Sequence, residues 1–433
     1  MGRYFGTDGI RGKAYAFLTE ELGFRVGRSL SLLGSDLLII AMDTRESGPP
    51  LKEAIKNGAR TSGIDTMDIG IVPTPLLCYL SRKFNAIGVM ITASHNPYHD
   101  NGIKVFLRGK KIPHEDESVI ENCLDGIITP LLPELRGKEV KGVPALPLYL
   151  ELFTSFIQKT NLKIALDLAN GATVVTASSV FKQMAEELYV TGDNPDGKNI
   201  NLNVGSTYPD SIIGLVKKSG SDVGFAFDGD GDRVIAVDHL GNLFDGDLMI
   251  YVIACYLHDL GKLSHNVVVL TKMSNLGIIK ALNRRGIEVI AADVGDKYVL
   301  EMMDSGDYVL GGENSGHIIN KALLDTGDGV LNAAFITSIL AKTGKSLQEL
   351  TVDVKMYPNK LLNLTGVNKD LAKHPDVLAM VNIIKNELKS DGAILVRPSG
   401  TEPMIRINVT APTKAECDDA IERIVNTINA LKQ

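Results

Sequence analysis

The sequence predicts an α/β protein: three similar βαβαβ-type units with mixed, mainly parallel sheets, followed by a smaller α+β domain. Three observations predict it. Short apolar runs alternate with helix-length segments, the pattern of parallel strands joined by crossover helices. This order recurs three times, and each copy closes on a polar loop after an apolar strand: Thr92-Ala93-Ser94-His95-Asn96-Pro97, Asp228-Gly229-Asp230-Gly231-Asp232-Arg233 and Gly311-Gly312-Glu313-Asn314-Ser315-Gly316-His317. The last stretch breaks the pattern, with two strands joined by a short loop and flanked by helices. Domains are expected at residues 1–145, 146–246, 247–352 and 353–433.

In the first unit, Gly6-Thr7-Asp8-Gly9-Ile10-Arg11-Gly12 is a glycine-rich opening with one cation. A helix over 19–33 follows, with Thr19 as its N-cap. The run 37–42 is a strand ended by Asp43-Thr44-Arg45, and a helix with Pro49 and Pro50 near its start runs to about 62. Strand 65–69, helix 74–84 and strand 86–91 complete the unit and lead to Ser94. The second unit reads as strand 162–167, helix 174–187, a loop over 192–203, helix 210–219 and strand 222–227. The third reads as strand 266–270, helix 277–285, strand 288–291, helix 297–304 and strand 308–310. The last domain reads as a strand from about 352, helix 376–389, strand 392–396, strand 404–409 and helix 414–431. If the three α/β units pack side by side, their polar loops can face one cleft.

Bulk properties narrow the function. The 433 residues are 44% hydrophobic and 22% charged, ordinary for a globular protein. A net charge of −7 does not suggest a nucleic-acid partner, so any anion must be bound by a local cluster of cations and N–H groups. Cys78, Cys123, Cys255 and Cys417 are far apart, which argues against zinc or a disulfide framework. The opening residues lack the apolar core of a signal peptide, and the longest apolar run, 248–257, is about half a membrane span. No membrane partner is expected, and a cytoplasmic location is. The sequence leaves the oligomeric state open, a homodimer included.

The loops carry the chemistry. Ser94 sits at a strand end, where active sites of α/β proteins gather. Serines in turns ordinarily serve local hydrogen bonds, so Ser94 matters only if other loops bring it partners. Asp228, Asp230 and Asp232 alternate with glycines. Carboxylates so close repel one another unless a cation binds them, and an all-oxygen set suits Mg²⁺ or Ca²⁺. An EF-hand is excluded, because Arg233 stands where glycine is needed and His239 where glutamate is needed. Arg397-Pro398-Ser399-Gly400-Thr401, with Arg406 on the next strand, offers guanidiniums, hydroxyls and loop N–H groups for a phosphate monoester. Glu313, Asn314 and Ser315 suit a polyhydroxyl ligand, and His317 and Lys104 can move protons or neutralise phosphate. No P-loop signature is present. The economical reading is phosphoryl transfer through a phosphoserine.

Together these segments, with Tyr4-Phe5-Gly6-Thr7-Asp8-Gly9-Ile10-Arg11-Gly12 at the start, resemble the α-D-phosphohexomutase superfamily over essentially the whole chain. The resemblance implies four domains around one central cleft. It places Ser94 as the phosphorylated residue and as a fourth metal ligand beside Asp228, Asp230 and Asp232, with one Mg²⁺ per chain. Glu313 and Ser315 match the sugar loop, with Asn314 between them also expected to bind substrate, and Arg397, Ser399, Gly400 and Thr401 match the phosphate loop. Arg11, Lys104 and His317 match basic residues near the reacting groups. The implied reaction interconverts glucosamine 6-phosphate and glucosamine 1-phosphate, on the path to UDP-N-acetylglucosamine. Glucose or glucosamine 1,6-bisphosphate serves as activator and intermediate, and the partner is a small hexosamine phosphate. The sugar loop departs from the usual pattern, with Asn314 in place of Gln, as does the serine loop, with Thr92 in place of Ser. Mannose- or glucose-phosphate mutases of the same superfamily are the alternative, and a non-catalytic sugar-phosphate binding protein is the more distant one.

Overall fold

Leu37–Met42 runs between Asp65–Ile71 and Ile87–Ile91, parallel to both. A strand covered on both faces reads as an unbroken apolar run rather than an alternating one, and Ile87–Ile91 is buried at every position. Helices Gly48–Thr61 and Thr74–Lys83 make the crossovers, each with proline in its first turn, where no backbone donor is lost. The sheet then turns antiparallel: Asp100–Leu107 pairs with Ile87–Ile91, and Gly9–Lys13 and Phe5–Gly6 extend it. The computed structural model describes residues 2–6, 8–130, 132–399 and 404–431.

The second sheet repeats the plan. Lys163–Asp167 lies between Glu187–Thr191 and Val223–Phe227, parallel to both, and Val234–Asp238 adds on antiparallel. In the third, Val267–Thr271 lies between Glu288–Ala292 and Leu310–Gly312, and Ile318–Asn320 closes the sheet antiparallel. The repeat therefore has a feature that the sequence reading lacked. In each unit the last parallel strand turns straight back into an antiparallel strand, and the polar loop is that turn.

Several expected boundaries are corrected. Asp100–Leu107, Val234–Asp238 and Ile318–Asn320 are strands that the sequence reading did not assign. The helix expected over 174–187 ends at Met184, and the chain enters strand Glu187–Thr191, whose Val190 and Thr191 favour extended backbone. The first strand of the last domain is Asn359–Thr365, not a strand from 352. The apolar run 248–257 lies within the buried helix Gly246–Asp259. Among the described residues no helix is long and apolar enough to cross a membrane.

Contacts divide the chain into two units, Met1–Met273 with Ile287–Val352, and Ser274–Gly286 with Asp353–Gln433. In the second unit, Met404–Thr410 is the middle strand between Asn359–Thr365 and Ala393–Pro398, all antiparallel. Ile405, Ile407 and Val409 alternate inward and share a core with residues of helices Pro375–Leu388 and Lys414–Ala430.

Candidate active site

The loop after Ile87–Ile91 is built by local hydrogen bonds. Thr92 Oγ1 donates to Asp43 Oδ2 at 2.7 Å and accepts from the Ser94 N–H at 2.9 Å. Ser94 is buried and has φ of 52°, a left-handed conformation that L-residues with side chains avoid. Its Oγ donates to Asp228 Oδ2 at 2.6 Å and lies 3.2 Å from His95 Nδ1. The serine singled out in the sequence therefore meets the carboxylate loop of the next repeat. Gly229 permits the approach: a Cβ there would lie 2.5 Å from the Ser94 carbonyl oxygen.

Asp228, Asp230 and Asp232 are buried, each with a carboxylate oxygen within 4.8 Å of the others. Burial, and then the charges of Asp232 and Asp230, push the Asp228 carboxyl well above its ordinary pKa. Asp230 Oδ1 is buried with no hydrogen-bond donor. Asp232 Oδ1 has only His317 Nδ1 at 3.8 Å and Arg233 Nε at 4.0 Å. Under-satisfied buried carboxylate oxygens, gathered beside a serine hydroxyl, fit a hard cation such as Mg²⁺. No other such group of His, Cys, Asp or Glu side chains occurs among the described residues.

The basic residues form a closed ring with carboxylates. Lys104 Nζ lies 2.8 Å from Asp230, 3.1 Å from Asp232 and 3.0 Å from Asp8. Asp8 lies 2.6 Å from Lys111, which lies 2.6 Å from Asp296. Asp296 lies 3.8 Å from His317 Nε2, whose Nδ1 faces Asp232. The ring thus alternates basic and acidic side chains and draws on all three α/β repeats. Burial opposes the Lys104 cation, but Asp230, Asp232 and Asp8 outweigh it and hold its pKa well above the ordinary value. For His317 burial again opposes the cation, and Asp232 and Asp296 again outweigh it and raise the pKa. Arg11 pairs with Asp8 at the edge of this ring.

The third loop is stitched to the second. The Val234 N–H donates to the Gly316 carbonyl at 3.1 Å, and the Gly329 N–H to the Gly231 carbonyl at 3.0 Å. Glu313 is buried and accepts from the Gly295 N–H at 2.9 Å, with Ser315 Oγ at 3.5 Å from its other oxygen. Asn314 is exposed, while its carbonyl accepts from the Gly246 N–H at 3.1 Å. The structure therefore brings together Ser94, Lys104, Asp228, Asp230, Asp232 and His317, with Arg11 beside them, and ties the loop of Glu313 and Ser315 to the second repeat through the Gly316 carbonyl.

In the second unit, Arg397 and Arg406 are cross-strand partners, so both guanidiniums leave one face of the sheet, opposite the buried Ile405 and Ile407. The Ser399 N–H donates to the Met404 carbonyl at 2.9 Å and closes the hairpin. Gly400 and Thr401 lie outside the described residues.

Sequence reasoning missed Asp8, Arg45, Lys111 and Asp296. Apart from the local pairs Asp8–Arg11 and Asp43–Arg45, their partners lie far away in the chain, so no spacing marks their roles. Only Asp8 and Arg45 stood in segments already singled out.

The fold and site are those of a sugar-phosphate phosphotransferase assembled from repeated α/β domains. The chain belongs to the phosphoglucomutase/phosphomannomutase family: domain I of that family matches residues 2–129, domain II 147–241, domain III 245–357 and the C-terminal domain 361–427. It is 44% identical over 446 residues to the phosphoglucosamine mutase of Streptococcus thermophilus, covering 99% of both chains. It is 43% identical over 444 residues to that of Bacillus cytotoxicus, again covering 99% of both. Among solved structures, a phosphoglucomutase/phosphomannomutase family protein from Burkholderia thailandensis has the same fold, with a TM-score of 0.82 at 23% identity over 99% of this chain and 97% of that one. The N-acetylphosphoglucosamine mutase of Aspergillus fumigatus, in complex with GlcNAc-6P and magnesium, gives a TM-score of 0.64 at 16% identity over 98% and 95%.

Proposed function

We propose that this chain interconverts glucosamine 6-phosphate and glucosamine 1-phosphate as an intramolecular phosphotransferase of the isomerase class, in the cytoplasm. The observation that carries the mechanism is the 2.6 Å hydrogen bond from Ser94 Oγ into the buried Asp228, Asp230 and Asp232 cluster. Full-length identity of 43–44% to phosphoglucosamine mutases supports the choice of substrate.

Ser94 is the covalent carrier. Phosphoserine gives its phosphoryl group to the sugar O1: the bond from phosphorus to Oγ breaks, one to O1 forms, and the proton of the O1 hydroxyl ends on the released Ser94 oxygen. The 1,6-bisphosphate then turns over, and its 6-phosphate returns to Ser94. Asp228, Asp230, Asp232 and Ser94 would hold one Mg²⁺ per chain, which supplies neutralisation of charge on the phosphoryl group. Lys104, held protonated by three carboxylates, is a charge partner and not a base. Arg11 and His317 complete the basic lining, Glu313, Asn314 and Ser315 take the sugar, and the hairpin of Arg397, Ser399, Gly400, Thr401 and Arg406 takes the non-reacting phosphate.

Two measurements test this. Glucosamine 6-phosphate has the highest kcat/KM among the glucosamine, mannose and glucose 6-phosphates; the lowest value for it would refute the substrate assignment. Intact mass shows one phosphoryl group after incubation with glucose 1,6-bisphosphate, and none in Ser94→Ala, which is also inactive. An active Ser94→Ala that releases phosphate would identify a phosphatase instead.

A further inference from the structure

The nucleophile loop is held from behind by a side chain that the reaction above does not use. Arg45 ends the loop after Leu37–Met42, and its side chain and that of Asp43 are fully buried, 0% exposed. Its Nε donates to Asp43 Oδ2 at 2.9 Å. Its Nη1 donates to the carbonyls of Pro97 and, at 3.0 Å, Asp100. Its Nη2 donates to the carbonyls of Ser94 at 2.9 Å and Asn96 at 2.8 Å. Every N–H of the rigid guanidinium fork thus has an acceptor; three of those acceptors are carbonyls of the turn that carries Ser94 and a fourth is that of Asp100, where the next strand begins. Asn201, from the second repeat, reaches the same pair: its Nδ2 lies 2.9 Å from the Ser94 carbonyl and 3.1 Å from that of Asn96.

We infer that Arg45, fixed by Asp43 and joined by Asn201, is the positioning residue of the nucleophile loop, holding Ser94 in its left-handed conformation with Oγ aimed at the carboxylate cluster. The inference rests on the reading of Ser94 as the phosphoryl carrier. A backbone conformation as unfavourable as φ of 52° at serine persists only where its surroundings fix it. Two donors on each of the Ser94 and Asn96 carbonyls do this, one from each side of the site. A second consequence is electrostatic. The guanidinium collects carbonyl oxygens behind the loop, which keeps their negative ends away from a phosphoryl group on Oγ. Lysine could not substitute, because a compact ammonium has too few donors and no planar fork. Neither Arg45 nor Asn201 touches the reacting atoms, so their loss slows phosphoryl transfer without removing sugar contacts.

The test uses the full chain with Mg²⁺ and glucose 1,6-bisphosphate as phosphoryl donor. Wild type, Arg45→Lys and Asn201→Ala are compared for rate of Ser94 phosphorylation by intact mass, for kcat and KM, and for folded fraction by circular dichroism. Misplacement of a reacting group by about an ångström costs on the order of a hundredfold in rate. Arg45→Lys is therefore expected to lower phosphorylation rate and kcat together by about a hundredfold, and Asn201→Ala by about tenfold, with KM within about twofold of wild type. Amide exchange then quickens over residues 93–100 and not elsewhere. Should Arg45→Lys fail to fold, the half-buried Asn201→Ala carries the test alone. A loss of kcat no larger than the loss of folded protein, or a raised KM at unchanged kcat, overturns the clamp. Wild type that takes no phosphate at Ser94 overturns the clamp and the proposed function together, whereas a phosphorylated wild type beside unimpaired variants overturns only the clamp.

Discussion

Asp328 offers a stability experiment whose sign can be worked out in advance. It caps helix Gly329–Thr343, with Oδ1 accepting the Leu331 N–H at 2.9 Å, and it takes the Tyr149 hydroxyl at 2.9 and 2.8 Å on its two oxygens. Burial raises its pKa from the ordinary 3.8 to about 7; the hydrogen bonds from Leu331 and Tyr149 oppose this, and the charge of Asp232 adds to it. Between these values the folded state keeps a proton that the unfolded state has released, so the wild type loses stability as pH rises through that window. At 1.36 kcal/mol per pH unit, the span from 3.8 to about 7 amounts to about 4 kcal/mol above pH 7, of which roughly 1.6 kcal/mol is already lost at pH 5. Asp328→Asn removes the charge but keeps the shape: its oxygen can accept the Leu331 N–H and its amide can donate to the Tyr149 oxygen. Urea unfolding in EDTA from pH 5 to pH 8 measures the difference. The variant's stability relative to wild type is expected to rise by about 3 kcal/mol across that range. Parallel pH profiles would refute the raised Asp328 pKa.

Three further perturbations follow from the site. Lys104→Met leaves Asp8, Asp230 and Asp232 without their shared ammonium and is expected to cost about 3–5 kcal/mol in urea unfolding at pH 7, part of it recovered by Mg²⁺; a loss below 1 kcal/mol would contradict the charge ring. Asp230→Asn removes one of the three anions proposed to hold Mg²⁺, one whose Oδ1 has no donor, and the Mg²⁺ concentration needed for half-maximal thermal stabilisation should rise at least about tenfold; an unchanged midpoint would place the cation elsewhere. Gly316→Ala puts a Cβ 2.2 Å from the Val234 carbonyl oxygen at a residue with φ of +93°, so a destabilisation of at least about 2 kcal/mol is expected, with a rise in KM for the sugar phosphate; wild-type stability and KM would show that the turn relaxes freely.

The legible part of the site was the part written locally. The Asp228-Gly229-Asp230-Gly231-Asp232 spacing advertises a cation because like charges so close need one, whatever the fold. The two arginines of the last hairpin were legible as loop and next strand, because strand composition is local; that Arg397 and Arg406 are cross-strand partners is a matter of register, which the structure supplies. The strands after each polar loop were harder. Ile318–Asn320 is three residues long and carries almost no periodicity, and Val234–Asp238 is buried on both faces and shows no alternation. Glu187–Thr191 follows helix Val174–Met184 so closely that its first residue reads as the end of the helix.

By itself the sequence determined that Ser94, the three aspartates, the Glu313 loop and the Arg397 hairpin each stand at a strand end, because strand and loop composition are local properties of the chain. The tertiary structure alone decided that the first three of these meet. It also decided that Lys104 and His317 are linked through Asp8, Lys111 and Asp296, and that Arg45 and Asn201 grip the carbonyls behind Ser94. An isolated lysine, aspartate or arginine has the same sequence signature whether it is solvated or buried. What separates the two is a partner remote in the chain, 49 residues away for Arg45 and Ser94 and 126 for Lys104 and Asp230, and long-range packing is what supplies it.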